Sequence, residues 1–362
     1  MSHVLVSPLN WGLGHATRDI PVIRTILAHD HEVTVAACGN ALAVLRQEFP
    51  ECRCIEFPDY PAAYSSGRWF LPKFCANFPF MLRAIARERA MLETILARNR
   101  YDLIISDNRL GVYSPKVPSV FITHQLHYHL PLAMWPLELA AVSVNSYLHE
   151  KFDRIIVPDN PAGAVPLAGK LSRPETEIAR ERVFFAGILS SARQQDRPKD
   201  IDYLIIVSGP EPQRTCLEQI VLPQLGDLGE NGVALLGSPQ RPYEESDSCG
   251  CSVISYVPTE EKVALMNRAR CVICRSGYTT MMELAELGKR CALLVPTPGQ
   301  PEQEYLAWYY GQQGWFWSRD QYHLNLARDL PKTCEYTGFP PMPKTDENVR
   351  RLYTGLLAAY LK

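Results

Sequence analysis

The sequence has no hydrophobic run that approaches the roughly 18 residues needed to cross a bilayer. Its first residues, MSHVLVSPLNWG, lack the basic stretch and the apolar stretch of a secretory signal peptide. Short-period repeats and low-complexity tracts are also missing. These absences exclude a membrane-spanning or fibrous protein. They lead us to expect a cytoplasmic protein, with peripheral contact at the inner membrane face left open.

An excess of charge of one sign is missing as well. The chain has 37 Lys and Arg against 39 Asp and Glu, for a formal net charge of −2. A basic field that would bind a nucleic-acid backbone is therefore absent, and we expect no nucleic-acid partner. Its 46% hydrophobic and 21% charged residues are ordinary for a soluble globular protein.

Cysteine is the residue type that stands out, with 11 in the chain. Their odd number and wide scatter favour reduced thiols over a disulfide framework. The closest approach to metal-ligand spacing is Cys249 and Cys251 followed by Cys271 and Cys274. Because the second pair lies in an apparent buried strand, it fits a small hydrophobic role better than chelation. We expect no metal site and no cofactor other than a co-substrate.

Short β-branched runs alternate with helical patterns along the whole chain, which is typical of stacked βαβ units. The polar segment SSARQQDRPKD interrupts this pattern and has the composition of a linker. We therefore predict an α/β protein with two doubly wound parallel-sheet domains, over 1–187 and 188–344. The apolar helix predicted within 345–362 is long enough to pack back on the first domain. Strands are predicted at 3–8, 32–37, 52–57, 103–107, 119–124, 154–158, 183–187, 203–209, 232–237, 252–257, 271–277 and 291–296.

In such sheets ligands bind beyond the carboxyl ends of the strands, so two facing sheets would place their ligand loops across one cleft. The loop after the first strand contains Gly12 and Gly14, which let a ligand approach the backbone, and it ends at His15. A dinucleotide site would need a third glycine, but Thr17 stands there, and no acidic residue ends the second strand. NAD binding is therefore disfavoured.

Two further titratable residues, Asp107 and His124, end predicted strands of the same sheet. A hydroxyl group that attacks a sugar carbon needs a base to remove its proton. His15, Asp107 and His124 are all candidates for that base. Asp107 could instead orient a histidine, and a single histidine at a helix start could simply cap or pack.

The strongest pattern is Arg275-Ser276-Gly277-Tyr278-Thr279-Thr280-Met281-Met282-Glu283, which leads from a strand into a helix. Ser276 is a predicted N-cap, and the helix start offers free N–H groups to a diphosphate. Spacings of four and three place Ser276, Thr280 and Glu283 on one face. Glu283 lies about 10 Å along the helix, at ~1.5 Å per residue, where a carboxylate could accept hydrogen bonds from a ribose diol.

Other loops supply further candidate donor residues. Ser208 and Gly209 form a small polar turn after the strand that starts the second half. Gln303 and Glu304 open a later helix and could bind sugar hydroxyls. The alternative is that the glutamine, three residues into the helix, only completes a capping box.

The run RSGYTTMMELAELGKRCALLVP, followed by GQPEQEYLA, resembles the donor-binding region of the MurG-type glycosyltransferases of family 28. WGLGHATRDIP resembles the glycine-rich acceptor loop of the same family. The resemblance implies the GT-B arrangement, a UDP-sugar donor, inversion at the anomeric carbon and no metal. It also implies roles for four sites: ribose binding by Glu283, diphosphate contact by Thr280 with the Ser276-Gly277 turn, uracil contact by the Val257 backbone, and base catalysis by His15.

We therefore predict a metal-independent inverting glycosyltransferase that moves a sugar from a UDP-sugar to a hydroxyl acceptor. Ala307 replaces an asparagine of the family pattern, which leaves the sugar open. Alternatives are a UDP-sugar 2-epimerase and a non-catalytic nucleotide-sugar-binding protein. An aromatic segment with a basic rim after it fits core packing or, alternatively, a lipid-linked acceptor or membrane contact: Phe57, Tyr60, Tyr64, Trp69, Phe70, Phe74, Phe78, Phe80, then Arg83, Arg87 and Arg89.

Overall fold

The computed structural model describes residues 1–60, 70–127, 146–174, 181–229, 231–238, 243–248 and 250–362, and in the helix that begins at Phe70 it describes side chains from residue 80 onward. The described chain divides into two compact units. Of the described residues, the first unit contains 1–60, those within Lys73–Ser191, and Pro343–Lys362. The second contains 70–72 and those within Ala192–Met342. No helix in these described ranges combines the length and apolar character needed to cross a membrane.

The first unit is built on a seven-stranded parallel sheet in the order β3-β2-β1-β4-β5-β6-β7. The interior strands are buried on both faces, because helices cover both sides of a parallel sheet. Chain order runs outward from β1 to β3 and then restarts on the other side at β4. The elements are β1 (His3–Pro8), α1 (Gly14–Leu27), β2 (Glu32–Ala37), α2 (Gly39–Glu48), β3 (Arg53–Glu56), α3 (Phe70–Arg98), β4 (Leu103–Asp107), β5 (Ser119–Ile122), β6 (Arg154–Val157) and β7 (Val183–Phe185).

The second unit repeats this plan with the order β10-β11-β9-β8-β12-β13-β14. All neighbours are parallel except β10 and β11, which form an antiparallel edge pair. Again the order reverses beside the first strand, here between β8 and β12. The elements are β8 (Ile201–Ile206), α4 (Gln213–Val221), β9 (Gly232–Leu235), β10 (Glu245–Ser248), β11 (Cys251–Ile254), α5 (Thr259–Arg268), β12 (Ala269–Cys274), α6 (Tyr278–Glu286), β13 (Ala292–Leu294), α7 (Pro301–Gln312), β14 (Trp317–Ser318) and α8 (Leu326–Asp329).

The last helix, α9 (Thr345–Gly355), belongs to the first unit and packs on α1. Val349, Leu352 and Leu356 join the apolar core that contains Ile20 and Ile23. The helix ends earlier than the sequence predicts, and a short 3₁₀ turn, Leu357–Ala359, follows it.

The predicted α/β class with two parallel-sheet domains is confirmed. Every predicted strand has a counterpart, although most end two or three residues earlier than expected. The strands β10 and β14 were not predicted. The sequence of β10, ESDS, has no apolar face because the strand lies exposed at a sheet edge, and β14 has only two residues.

Candidate functional site

The order reversal in the first sheet brings His15 and Asp107 together. His15 is the second residue of α1, which follows β1, and Asp107 is the last residue of the neighbouring β4. His15 Nδ1 lies 2.9 Å from Asp107 Oδ1. Nη2 of Arg18, which can only donate, also lies 2.9 Å from His15 Nδ1. We assign the Nδ1 proton to the Asp107 contact because an ionised carboxylate is the stronger acceptor and the guanidinium also donates to that carboxylate. The imidazole is 14% exposed, and Nε2 has no hydrogen-bond partner among the described residues.

Arg18, which sequence analysis missed, completes this group. Its Nε donates to Asp107 Oδ2 at 2.6 Å, and its Nη2 donates to Asp107 Oδ1. Its Nη1 lies 3.3 Å from Nδ1 of His124, so His124 joins the group through the guanidinium. Arg18 is 1% exposed and Asp107 is fully buried. The structure thus brings all three predicted base candidates into contact with the Arg18 guanidinium.

Burial and the nearby Arg18 guanidinium lower the pKa of His15 below its usual value, although the Asp107 carboxylate opposes them. For Asp107, burial alone would raise the pKa, but Arg18 and His15 hold it far below its usual value. Asp107 therefore stays ionised and His15 stays neutral at pH 7. A neutral imidazole whose Nδ1–H is fixed on a carboxylate leaves Nε2 able to accept a proton.

Asp19 is a second residue that sequence analysis missed. Its carboxyl group is completely buried, and neither oxygen has a hydrogen-bond donor within the described part of the chain. Burial and the adjacent Asp107 raise its pKa well above the usual value, against the effect of Arg18. Burial therefore favours the neutral form of Asp19 beside the ionised Asp107. The signal was present in the sequence, because residues 15, 18 and 19 share one face of α1 at spacings of three and four.

The loop before α1 is held from several sides. Asn10 Nδ2 donates to Asp59 Oδ2 at 3.1 Å, and Asn10 Oδ1 accepts from the Ala41 N–H at 3.0 Å. Gly12 has a φ of +84°, a backbone conformation that only glycine adopts without strain. Gly12 is also exposed. Gly14 is the first residue of α1. The loop therefore leaves Gly12 open to solvent on the chain segment that leads to His15.

In the second sheet, the order reversal places Arg275 beneath the Ser208-Gly209 turn. Arg275 is 2% exposed. Its guanidinium donates to four carbonyl oxygens and one side-chain amide oxygen, namely those of Ser208, Gln213, Val295, Pro296 and Gln321. Burial lowers its pKa to about 10, so it remains charged at pH 7. No carboxylate among the described residues pairs with this cation, which leaves a net positive charge under the turn.

Gly209 and Thr297 lie beside this cation. Gly209 has a φ of +113°, and a methyl group added there would meet Thr297 Oγ1 at 3.8 Å and Arg275 Nε at 3.9 Å. Thr297 is 1% exposed, and its hydroxyl has no hydrogen-bond partner among the described residues. Gln213 Nε2 is also buried without a hydrogen-bond partner among the described residues. These two groups were not predicted, and they leave polar hydrogens unused around the charge.

The predicted N-cap role of Ser276 is wrong. The N-cap of α6 is Gly277, and no side chain caps the helix. Ser276 is fully buried, and its hydroxyl donates to the Gln303 carbonyl oxygen at 2.8 Å, because a tertiary acceptor has replaced the local one. Ser276 also precedes the helix and does not share a helical face with Thr280 and Glu283. No side chain caps the start of α6, as the diphosphate hypothesis requires.

Glu283 lies further along α6 and is 3% exposed. Lys262 of α5, not predicted, donates to both of its carboxylate oxygens at 2.8 and 3.0 Å. The lysine side chain is 26% exposed and the glutamate side chain 4%. The carboxylate is thus oriented by a neighbour that is itself open to solvent.

Gln303 and Glu304 are engaged within the protein. Gln303 Oε1 accepts from the Thr297 N–H at 2.9 Å, and its Nε2 donates to Gln300 Oε1 at 2.7 Å. Glu304 Oε1 accepts from the Gly299 N–H at 2.8 Å. These contacts brace the turn before α7. Val257 is buried and follows the exposed Tyr256.

Part of the predicted aromatic segment can be described. Phe57 and Tyr60 are 2% and 6% exposed, as core packing predicts, whereas Phe80 is 55% exposed and lies under the Arg83 guanidinium at 5.9 Å. Tyr64 and Trp69, with the side chains of Phe70, Phe74 and Phe78, lie outside the described residues.

Comparison with known proteins relates the chain to glycosyltransferases in sequence and in fold. Residues 237–336 match the glycosyltransferase family 28 C-terminal domain. The glycotransferase of kitacinnamycin is 15% identical with a TM-score of 0.63, covering 99% of this chain and 95% of that one. MurG of Acinetobacter baumannii is 14% identical with a TM-score of 0.56, covering 98% and 100%. The glycosyltransferase VinC, solved in complex with dTDP, is 12% identical with a TM-score of 0.57, covering 97% and 94%.

No curated protein matches the chain. The structural neighbours establish the GT-B fold, which was predicted, and the matched domain supports an enzyme that transfers a sugar. The protein therefore has the GT-B fold, and the match of residues 237–336 to the family 28 C-terminal domain confirms its resemblance to the MurG-type glycosyltransferases.

Proposed function

We propose that the protein transfers a sugar from a UDP-sugar to a hydroxyl acceptor with inversion at the anomeric carbon. The observation that carries this proposal is the Arg275 cation, which is buried under the Ser208-Gly209 turn with neutral acceptors only among the described residues. Such a charge favours an anionic ligand. Thr297 Oγ1 and the start of α6, which no side chain caps, add hydrogen-bond donors for a diphosphate.

The donor nucleoside is bound, in this proposal, by Glu283 and the backbone of Val257. The Glu283 carboxylate accepts hydrogen bonds from the ribose diol while Lys262 holds it in orientation. The positive charge of Arg275 and the start of α6 stabilise the negative charge that develops on the departing diphosphate. No metal is needed for that role in this proposal.

His15 is the base in the proposed reaction. The acceptor oxygen forms a bond to the anomeric carbon as the bond from that carbon to the diphosphate oxygen breaks. The acceptor proton passes to His15 Nε2, and Asp107 stabilises the resulting imidazolium through Nδ1–H. Asp107 and Arg18 are positioning residues here, and His124 contacts the same guanidinium.

The test is calorimetric titration with UDP, dTDP, GDP and NAD. We expect UDP to bind most tightly and Glu283→Ala to weaken its binding by about 10-fold or more, since a hydrogen bond to a charged group contributes ~1.5–3 kcal/mol. Glu260→Ala, at an exposed position on α5, is the matched control and should bind UDP as the wild type does. Tighter binding of dTDP would change the donor class, and equal or absent binding of all four ligands would overturn the assignment.

A further inference from the structure

Two cysteines in the second unit lie side by side near the amino end of β12, where that strand pairs with β13. They are Cys271, in β12, and Cys291, which immediately precedes β13. We refer to them as the thiol pair. Arg275 and the start of α6 follow the opposite end of β12, so the thiol pair is not part of the proposed donor site. Sequence analysis grouped Cys271 with Cys274, but the fold places Cys271 beside Cys291.

Strand register places the two residues directly opposite each other. Val272 pairs with Ala292, and the Val272 N–H donates to the Cys291 carbonyl oxygen at 3.2 Å. Opposite residues on neighbouring strands are about 4.8 Å apart, which lies within the ~4.4–6.8 Å between Cα atoms that a disulfide spans. Both sulfur atoms also reach the Thr333 hydroxyl, at 3.8 Å from Cys271 Sγ and 3.1 Å from Cys291 Sγ. The two side chains therefore point to the same face of the sheet.

The two thiols differ in exposure and in acidity. Cys271 is 7% exposed, whereas Cys291 is half-buried and can be reached from solvent. A hydrogen bond from the Cys271 thiol lowers the pKa of Cys291 to about 7, with further help from Thr333 and Lys289. The same hydrogen bond and burial raise the pKa of Cys271 well above its usual value. Cys291 is thus the nucleophilic thiol and Cys271 the resolving one.

Lys289 lies beside the pair, and burial together with the nearby Lys199 lowers its pKa to about 7. Lys289 is 5% exposed, and its ammonium group donates to the Ala269 carbonyl oxygen at 2.6 Å. Lys199 donates to the Asn267 carbonyl oxygen, which Lys289 also approaches at 3.4 Å. Within the described ranges no third His, Cys, Asp or Glu joins the thiols in a set that could hold a metal ion. The chemistry left to the pair is that of a dithiol.

We propose that the thiol pair is a redox modification site, which a low-molecular-weight disulfide converts to a Cys271–Cys291 disulfide. The Cys291 thiolate attacks one sulfur of the reagent, forms a mixed disulfide and releases one thiolate. Cys271 loses its proton to solvent and attacks Cys291 Sγ, which releases the second thiolate. The protein loses two electrons and two protons, and the reagent is reduced to two thiols.

The experiment is incubation of the whole protein with oxidised glutathione, alkylation of the remaining thiols and tryptic mapping without reduction. We expect Cys291 linked to the peptide CVICR, which contains both Cys271 and Cys274. Cys274 lies three residues along the strand, on the opposite face. Cys274→Ala should therefore keep the linkage, and Cys271→Ala should replace it with a glutathione adduct at Cys291. Cys334→Ala, which removes an exposed thiol, is the control for surface oxidation.

Absence of the linkage in the wild type, or its persistence in Cys271→Ala, would overturn the proposal. An adduct at Cys334 with none at Cys291 would overturn it too, because simple exposure would then decide reactivity. None of these readouts involves nucleotide or sugar, so failure here leaves the proposed transferase function untouched. Conversely, a failed UDP titration would not bear on the thiol pair.

Discussion

Arg18 and Arg275 are both buried near the reversal of strand order in their sheets, and they have opposite electrostatic surroundings. Each guanidinium is buried where the strand order of its sheet reverses. Arg18 is neutralised by Asp107, beside a neutral His15 and a protonated Asp19. Arg275 is surrounded by carbonyl and amide oxygens, which satisfy its hydrogen bonds but cancel no charge.

This difference assigns different chemistry to two similar positions. A buried cluster with no net charge can keep an imidazole neutral and ready to take up a proton. A buried cation without a counter-charge instead favours an anion that brings the missing negative charge. In the proposed reaction the first site handles the acceptor proton and the second holds the diphosphate. Variants that remove one charge or one proton acceptor test whether the two sites are distinct in this way.

The largest effect is expected from His15→Ala. Loss of a general base costs about 10²–10⁴-fold in rate, so transfer from the donor should fall by that factor. The affinity for UDP should stay within about 2-fold of wild type, because His15 is in the unit that handles the proton. Rates come from a product assay and affinities from calorimetry. A parallel loss of UDP binding would mean that His15 contributes to nucleotide binding as well as to proton transfer.

The pH dependence of the same rate sharpens this test. Burial and Arg18 lower the pKa of His15, so its neutral form persists to lower pH than for an ordinary histidine. The acid limb of kcat/KM should therefore lie below about pH 6.5, the usual value for histidine. A limb at or above that pH would contradict the role of Arg18 in keeping His15 neutral.

Arg275→Gln should have the next largest effect, on the phosphate part of donor binding. Loss of one charge-assisted interaction costs about 2 kcal/mol, or ~30-fold in affinity. We expect the preference for UDP over uridine to fall by that factor, while uridine affinity changes little. Arg275→Lys keeps the charge and is the matched control, and thermal melting of each variant checks its fold. An unchanged ratio of UDP to uridine affinity would remove Arg275 from the diphosphate site.

Much of this organisation could be predicted from the sequence because it depends on local patterns. Runs of β-branched residues mark the strands. Because parallel strands bind ligands at their carboxyl ends, the sequence also predicts that Asp107 lies near His15. The buried charges of Arg18 and Asp19 were missed, because charged residues on a helix usually face solvent. Their burial depends on Asp107, which lies far along the chain. Ser276 failed as an N-cap for the same reason, since its acceptor at Gln303 comes from another helix.

The last test concerns the stability of the protein and not its activity, and it examines the buried acid Asp19 that leaves the first site neutral. Because the pKa of Asp19 is raised by folding, its contribution to stability is complete below about pH 4 and is lost as pH rises toward the folded value. Asn has the shape of the neutral acid and does not titrate. The stability of Asp19→Asn relative to wild type should therefore increase with pH above about 4, by at most ~1.4 kcal/mol per pH unit.

Urea midpoints of both proteins at pH 5, 6, 7 and 8 measure this difference. Asp227→Asn, at an exposed position, is the matched control and should give a difference that is flat with pH. Asp107, whose pKa is lowered, titrates in the opposite direction, but it is present in both proteins and largely cancels. A flat difference for Asp19→Asn would mean that Asp19 is ionised in the fold. The Arg18 cluster would then carry a net negative charge, whereas the Arg275 site carries a net positive one.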